Sequence, residues 1–176
     1  MGRVYRKLPP ASLLWDRYDY KPLTGELIRK RKTEFTAGTM NSRGYLHTQI
    51  GEHKYVIHRV VWKWVTGSDP QVLMLDHKDR NKKNNAWNNL RVATGSQNQA
   101  NTGKASGVHC VQLKSGRIRF VASISIGGRN KNLGRFDTQE EAESCYRNAH
   151  VALHGSFSPY SKEGGGVGTC QRAVFR

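Results

Sequence analysis

Two short strand-like segments on either side of a long polar run constrain the fold of this chain most strongly. Residues 72–75 are apolar, which is typical of a β-strand, and residues 90–93 are a second short strand candidate. The polar run between them begins with Asp76 and His77, and Thr94, a good N-cap residue, follows the second segment. The pattern therefore predicts two strands and a helix arranged around a polar loop.

The remainder of the chain mixes the two periodicities, so we predict an α+β fold. Pro22 and Gly25 mark a turn between two strands, and Gly51-Glu52 joins the strands of a second hairpin. A helix over residues 58–66 ends at Gly67. Three strands at 108–113, 117–126 and 129–136 then precede a helix that Thr138 and Glu141 open as a capping box. We expect N-terminal hairpins and the strand–strand–helix module, followed by a three-stranded antiparallel sheet packed on one helix.

The charge of the chain predicts a polyanionic partner. Its 176 residues include 29 Lys and Arg against 13 Asp and Glu, which leaves a formal net charge of +16. Such an excess attracts nucleic acid, although a basic surface tuned for solubility is the alternative. No apolar run reaches the roughly 20 residues of a membrane span, the N-terminal residues lack an apolar signal core, and three separated Cys form no disulfide framework. We therefore expect a protein of the reduced cytosol.

Asp76, His77, Asn89 and Asn98 carry the side chains of a hydrolytic metal site. Carboxylate and amide oxygens suit a hard divalent cation such as Mg²⁺ or Mn²⁺. A neighbouring histidine can take a proton from water near neutral pH. Together these groups predict hydrolysis of a phosphodiester by an activated water beside one metal ion.

Residues 44–101 resemble the HNH nucleases of phages and homing elements, which fold as a ββα-metal unit. The matching text is Ile57-His-Arg-Val-Val-Trp, Leu75-Asp-His-Lys-Asp-Arg-Asn, Asn88-Asn-Leu-Arg and Gln97-Asn-Gln. The resemblance implies that His77 is the general base, that Asp76 and Asn98 are metal ligands, and that Asn89 braces the loop and orients His77. Asn98 stands where the last His of the HNH name usually lies, as in the phage intron-encoded nickases.

The sequence also supports predictions for three further residues of this segment, His58, Arg59 and Arg80. His58 and Arg59 precede a helix, where they are equally suited to contact a phosphate or to be a structural pair at the helix start. Arg80 stands where many relatives have Gly, and arginine tolerates positive φ poorly. By family analogy the products carry 5′-phosphate and 3′-hydroxyl ends. Because the sequence contains one such site, a monomer should nick one strand of double-stranded DNA, and cleaving both strands would need a dimer or a second binding event. We expect a monomer.

A second basic region follows the nuclease-like segment. Residues 104–135 contain seven Lys or Arg and no Asp or Glu. Arg117 and Arg119 alternate on one strand and so share a side, and we expect Arg129, Lys131 and Arg135 to do likewise on the next. The expected DNA contacts are these five residues together with Lys114 and the run Arg29, Lys30, Arg31 and Lys32.

The same region resembles the ethylene-response-factor (APETALA-type) DNA-binding domain. The match rests on Gly116-Arg-Ile-Arg-Phe-Val-Ala-Ser-Ile and Leu133-Gly-Arg-Phe-Asp-Thr-Gln-Glu-Glu-Ala. Phe120 stands where this family usually has Trp. The plant form's base specificity therefore does not transfer.

The two resemblances together predict the domain order and the activity. We expect an HNH nuclease domain at residues 1–103 with its metal core at about 72–101, an ethylene-response-factor-like domain at 104–160 and a Gly-rich flexible tail at 161–176. The whole would be a metal-dependent, site-directed endonuclease of homing type, acting in the cytoplasm of a bacterial host during phage infection. The alternatives are a non-catalytic DNA-binding regulator with a degenerate nuclease fold, a ribosomal or other RNA-binding protein, and a non-specific nuclease.

Overall fold

The computed structural model describes residues 6–30, 38–71, 73–102 and 107–161 of the chain. They form two compact units, an N-terminal unit of residues 1–98 and a C-terminal unit of residues 99–176. Helices and antiparallel strands occur in both, which confirms the predicted α+β class. The expected contacts Arg31 and Lys32, and the expected tail beyond residue 161, lie outside the described residues.

The N-terminal unit begins with a short helix and two antiparallel sheets. In chain order its elements are α1 (Ala11–Arg17), β1 (Tyr18–Lys21), β2 (Glu26–Arg29), β3 (Thr39–Met40), β4 (Leu46–Ile50), β5 (His53–Val56) and α2 (Ile57–Thr66). β1 pairs with β2, and β4 lies between β3 and β5. Both predicted hairpins are present, whereas α1, which starts after Pro10, has no counterpart among the predicted elements.

The core of this unit forms where α1 and the β1–β2 hairpin pack with α2. Leu14, Leu27, Val60 and Val61 have no solvent exposure. Burying an aliphatic side chain of this size stabilises a fold by about 1.5 to 3 kcal/mol. α2 ends at Gly67, whose φ of 71° is a left-handed cap that glycine adopts without strain. The β1–β2 hairpin and α2 therefore share one core, and the next segment of the chain follows α2.

The predicted strand–strand–helix module follows α2. β6 (Met74–His77) pairs antiparallel with β7 (Leu90–Ala93), and α3 (Gly95–Asn101) follows directly. The Thr94 hydroxyl accepts from the Gln97 amide and the Gln97 side chain accepts from the Thr94 amide, so the predicted cap is a capping box. β6 starts two residues later than residues 72–75 predict. Asp76 and His77 consequently lie within the strand, opposite Arg91 and Leu90.

The C-terminal unit is a three-stranded sheet with one long helix. β8 (Val108–Gln112), β9 (Ile118–Ile126) and β10 (Arg129–Phe136) are antiparallel with β9 in the centre, and α4 (Gln139–His154) packs on the sheet. The predicted capping box of Thr138 and Glu141 opens α4. No helix in the described parts of the chain is long and apolar enough to cross a membrane.

Candidate active site

Asp76 and His77 are buried at the end of β6, with relative exposures of 5% and 4%. The Asp76 carboxylate accepts from Nε of Arg91 on β7 at 2.8 Å and lies at 2.8 Å from Nη2 of the same guanidinium. Because the two strands place these residues directly opposite each other, the pairing follows from the sheet register. The guanidinium thus holds the carboxylate in a fixed orientation beside the histidine.

The His77 ring contacts an amide of the polar loop. Its Nε2 lies 3.2 Å from Oδ1 of Asn85, while Nδ2 of Asn85 donates to the Lys83 carbonyl at 3.2 Å. Burial lowers the pKa of His77, and this effect outweighs the Asn85 hydrogen bond and the carboxylates of Asp79 and Asp76, which raise it. The ring is therefore a neutral imidazole near physiological pH, which is the form that can accept a proton.

Two aromatic rings flank His77. The ring of His58, at the start of α2, lies 5.2 Å from the His77 ring, edge to face, and Tyr45 lies 5.4 Å from His58 and 6.1 Å from His77. Burial lowers the pKa of His58 to about 3, and the neighbouring His77 lowers it further. The structure thus brings the predicted His58 to the site, but as a neutral ring rather than as a cation for phosphate.

Asn89 holds the two ends of the polar loop together. Its Oδ1 accepts from the Asp79 amide at 3.0 Å, and its Nδ2 donates to Oδ1 of Asp79 at 2.9 Å and to the Asn84 carbonyl at 2.8 Å. Burial raises the pKa of Asp79, but hydrogen bonds from Asn84, Asn89 and Asn81 outweigh burial and leave this pKa below its usual value. Asn89 therefore acts on the loop, whereas the contact to the His77 ring comes from Asn85.

Arg80 has a left-handed backbone, with φ of 65°. Its amide donates to the His77 carbonyl at 2.9 Å, so it closes the turn that leaves β6. This chain therefore has arginine, where many relatives have Gly, at a position whose backbone conformation suits glycine.

Asn98 lies on the first turns of α3, directly after β7, and is half-buried. The carboxylate of Asp76 and the amide oxygen of Asn98 are hard donors, and two protein oxygens completed by water and phosphate oxygens suit Mg²⁺ or Mn²⁺. The donor chemistry therefore fits one divalent ion. Asp76 and Asn98 remain the residues expected to hold it.

Several residues that are predicted to contact DNA form hydrogen bonds within the protein. Nη2 of Arg59 donates to the Gln71 carbonyl at 2.7 Å and to Asp69 at 3.4 Å, which is the structural alternative for this residue. Nη2 of Arg29 donates to Thr48 at 3.3 Å. Lys30 donates to the Trp15 carbonyl at 2.7 Å, yet remains exposed.

The basic residues of the C-terminal unit do not share one face. Arg135 lies opposite Val121, whereas Lys131 lies opposite Ile124 and Arg129 opposite Ile126. Opposed residues share a face, and Ile124 and Ile126 pack in the core with α4. The expectation that Arg129, Lys131 and Arg135 point to one side is therefore wrong, because a bulge between Asn132 and Gly134 inserts a residue and reverses the alternation.

Arg117 and Arg119 do share a side, and both pair with one carboxylate. Arg117 donates to Oδ1 of Asp137 at 2.9 Å, and Arg119 donates to the same oxygen. The three residues carry a net charge of +1 together. Exposed pairs of this kind are worth about 0 to 1 kcal/mol, so a phosphate could compete with Asp137 for either arginine.

Sequence reasoning misses Asn85, Tyr45 and the Asp76–Arg91 pair as parts of the site. Asn85 is one of several asparagines in the polar run, and nothing in the sequence says which of them faces His77. Tyr45 lies in a different hairpin, so only the tertiary structure brings it close. Arg91 could have been found from the sequence, because it follows Asn89 and Leu90 in the second of the two strands, and that strand pairs with β6.

Residues 55–100, which contain this site, match the HNH endonuclease family model. This segment of the chain is therefore similar to HNH endonucleases. Among curated proteins it is similar to an uncharacterised HNH endonuclease of Acanthamoeba polyphaga mimivirus, with 31% identity over 62% of this chain and 58% of the relative. It is also similar to a prophage SPbeta protein of Bacillus subtilis named as a candidate HNH homing endonuclease, with 33% identity over 43% of this chain and 44% of the relative.

A third relative is Protein 3.8 of Escherichia phage T7, with 28% identity over 58% of this chain and 88% of the relative. The chain spans about half the length of the first two relatives, 58% and 44%. No solved structure matches the chain.

Proposed function

We propose that this chain is a metal-dependent, site-directed DNA endonuclease that nicks one strand of duplex DNA. The observation that carries the proposal is the buried Asp76–His77 pair at the end of β6, inside the segment that matches the HNH endonuclease model. A buried, neutral imidazole beside a carboxylate is suited to acid–base chemistry. The prophage relative's name, which refers to homing, agrees with a site-directed activity.

His77 is the general base in this proposal. Its neutral ring removes a proton from a water molecule, and the water oxygen then attacks the scissile phosphorus in line with the departing 3′ oxygen. The departing 3′ oxygen takes a proton from solvent water to become the 3′-hydroxyl, and the other product carries a 5′-phosphate. Asn89 keeps the loop closed around the base through Asp79 and Asn84.

Asp76 and Asn98 would hold a divalent ion, with Mg²⁺ or Mn²⁺ as the candidates. When bound, such an ion neutralises the charge that develops on the phosphoryl and leaving oxygens. Arg91 keeps the Asp76 carboxylate fixed on the strand.

The C-terminal unit supplies DNA contacts in this proposal. Arg117, Arg119 and Arg135 lie on or beside the sheet face away from α4, and Lys114 lies in the turn between β8 and β9. Arg129 and Lys131 lie on the helix side of the sheet. In the N-terminal unit, exposed Lys30 remains a candidate, whereas Arg29 is held by Thr48. We expect the protein to act as a monomer on double-stranded DNA, inside an infected bacterial cell.

A library of supercoiled plasmids with random inserts tests the activity on many target sequences at once. Wild-type protein with Mg²⁺ or Mn²⁺ should convert a defined subset of plasmids to the open circle, and DNA ligase should reseal the nicks because their ends are 5′-phosphate and 3′-hydroxyl. Sequencing from the nicks gives the site and the strand. Chelation of the metal should abolish nicking.

His77→Ala should lower the nicking rate by about 10² to 10⁴-fold, the usual contribution of a general base. Asn88→Ala is the matched control, because Asn88 is an exposed amide of the same loop whose backbone carbonyl accepts from Lys78. If His77→Ala nicks as fast as the wild type, His77 is not the base. Sequence-specific DNA binding with no cleavage in any metal would instead identify a non-catalytic regulator.

A further inference from the structure

We propose that Asn85 is the positioning residue of His77, and that the β1–β2 hairpin holds Asn85 in place. In this role Asn85 keeps the proton of the neutral imidazole on Nε2, so that Nδ1 carries the lone pair that accepts the proton from water. The role rests on the proposed function, since Asn85 matters for catalysis only if His77 is the base.

The orientation of the Asn85 amide selects the tautomer. Its NH₂ group donates to the Lys83 carbonyl at 3.2 Å, and that carbonyl can only accept. The amide oxygen therefore faces His77 Nε2, at 3.2 Å, and must receive a hydrogen from it. Because a neutral imidazole carries one N–H, a proton on Nε2 leaves Nδ1 as the basic atom.

Asn85 is itself among the most buried polar residues described, with a relative exposure of 1%. Its carbonyl accepts from the Tyr20 hydroxyl on β1 at 2.8 Å, and burial raises the pKa of Tyr20 to about 12, so this hydroxyl stays a donor. The residues on either side of Asn85 are also held, since the Ala86 amide donates to the Asn84 side chain at 3.2 Å.

The turn of the same hairpin packs directly on this segment. A Cβ added at Gly25 would lie 2.9 Å from the Asn85 Cα and closer still to the Ala86 nitrogen, so only glycine fits there. The Trp87 amide donates to the Pro22 carbonyl at 2.9 Å. The hairpin thus fixes residues 85–87 from three positions, at Tyr20, Gly25 and Pro22.

The hairpin lies outside residues 55–100, which match the family model. The support of the catalytic ring therefore comes from a part of this chain that precedes the matched segment. A further consequence is that Tyr20, Pro22 and Gly25 influence catalysis through the residues they contact, 85–87.

Nitrogen-15 NMR of the histidine side chains tests the proposal directly, because the two ring nitrogens differ in shift between tautomers. At mildly alkaline pH, wild-type His77 should show the Nε2–H form, with its signal assigned by its loss in His77→Gln. Asn85→Leu, which is close in size but has no oxygen, should move the ring towards the Nδ1–H form. Asn85→Asp, which still offers an oxygen to Nε2, should keep the Nε2–H form.

The nicking rate should follow the tautomer. Asn85→Leu should be slower by roughly 10- to 100-fold, as for other hydrogen-bond partners that orient a reacting group, and Asn85→Asp should recover part of the rate. Tyr20→Phe removes only the hydroxyl donor and should give a smaller loss, with Tyr55→Phe as its control. Asn85→Asp and Tyr20→Phe keep the proposal testable if Asn85→Leu does not fold.

The outcomes separate the two proposals. A wild-type His77 in the Nδ1–H form, or a tautomer that Asn85→Leu leaves unchanged in a folded protein, overturns the role of Asn85 even if the enzyme nicks DNA. A wild type that holds the Nε2–H form through Asn85 but cuts no DNA supports the hydrogen bond and refutes the nuclease.

Discussion

Arg80 has a backbone conformation that suits glycine better than arginine. Its φ of 65° costs an L-residue about 1 to 2 kcal/mol. An arginine in this conformation, three residues after His77, places backbone strain beside the candidate site.

We predict that Arg80→Gly stabilises the N-terminal unit by up to about 1 kcal/mol, since relief of strain exceeds the entropy that glycine adds to the unfolded chain. Lys83→Gly is the control, because it removes the same charge from the same loop at a position without positive φ. It should cost about 0.5 to 1 kcal/mol. Urea unfolding gives both values, and equal effects of the two substitutions would argue against strain at Arg80.

At the scale of elements, the β1–β2 hairpin is held against the polar loop by a close backbone contact. Gly25→Ala would place a methyl group within 2.9 Å of the Asn85 Cα, at a φ of +77°. Gly51, in the β4–β5 turn, has a similar φ of +63° but nothing within 4 Å of an added Cβ. The two glycines differ, therefore, in packing and not in backbone strain.

We predict that Gly51→Ala costs only the strain of about 1 to 2 kcal/mol, and that Gly25→Ala costs about 1 to 3 kcal/mol more because of overpacking. Gly25→Ala should also slow nicking, whereas Gly51→Ala should not. Thermal unfolding and the plasmid assay measure the two effects. Equal losses of stability would mean that the hairpin can move away from the loop at little cost.

The elements that can be predicted from the sequence are those with local signals. Thr94 and Thr138 are followed three residues later by Gln97 and Glu141, and both pairs form capping boxes. The bulge of β10 has a weaker signal, because the isolated Gly134 in a strand pattern suggests a bulge but does not fix its register. The contact of Tyr20 with Asn85 joins residues 65 positions apart, so only the folded chain reveals it. Asp76 and His77 are adjacent in sequence, so this candidate pair is predictable, whereas the hydrogen-bond partner of the His77 ring is not.

At the scale of the molecule, buried neutral histidines make stability depend on pH. The pKa of His58 is about 3 in the folded N-terminal unit, against an ordinary value of 6.5. Between these values the unfolded chain binds the proton and the folded chain does not. The stabilisation is therefore complete above about pH 6.5 and is lost as the pH falls, by up to about 1.4 kcal/mol per pH unit.

We predict that His58→Phe, which keeps a ring against Tyr45 and His77, removes the contribution of one proton from the slope of unfolding free energy against pH. All four Trp belong to the N-terminal unit, so tryptophan fluorescence during urea unfolding reports on that unit alone. His150, whose pKa burial lowers to about 4, lies in the C-terminal unit and should leave the fluorescence slope unchanged when replaced. An unchanged slope in His58→Phe would mean that His58 is protonated without cost.

The extra residue in β10 has a consequence for how this chain diverges from its relatives. Arg135 and Asp137 lie away from α4 only because the bulge between Asn132 and Gly134 shifts the alternation. A homologue that lacked one residue there would align with this chain at every basic position. The alternation of its strand would nevertheless differ, so a different set of basic side chains would face its partner. If the C-terminal unit contacts DNA as proposed, insertions and deletions in this strand would change which of its basic residues meet the DNA.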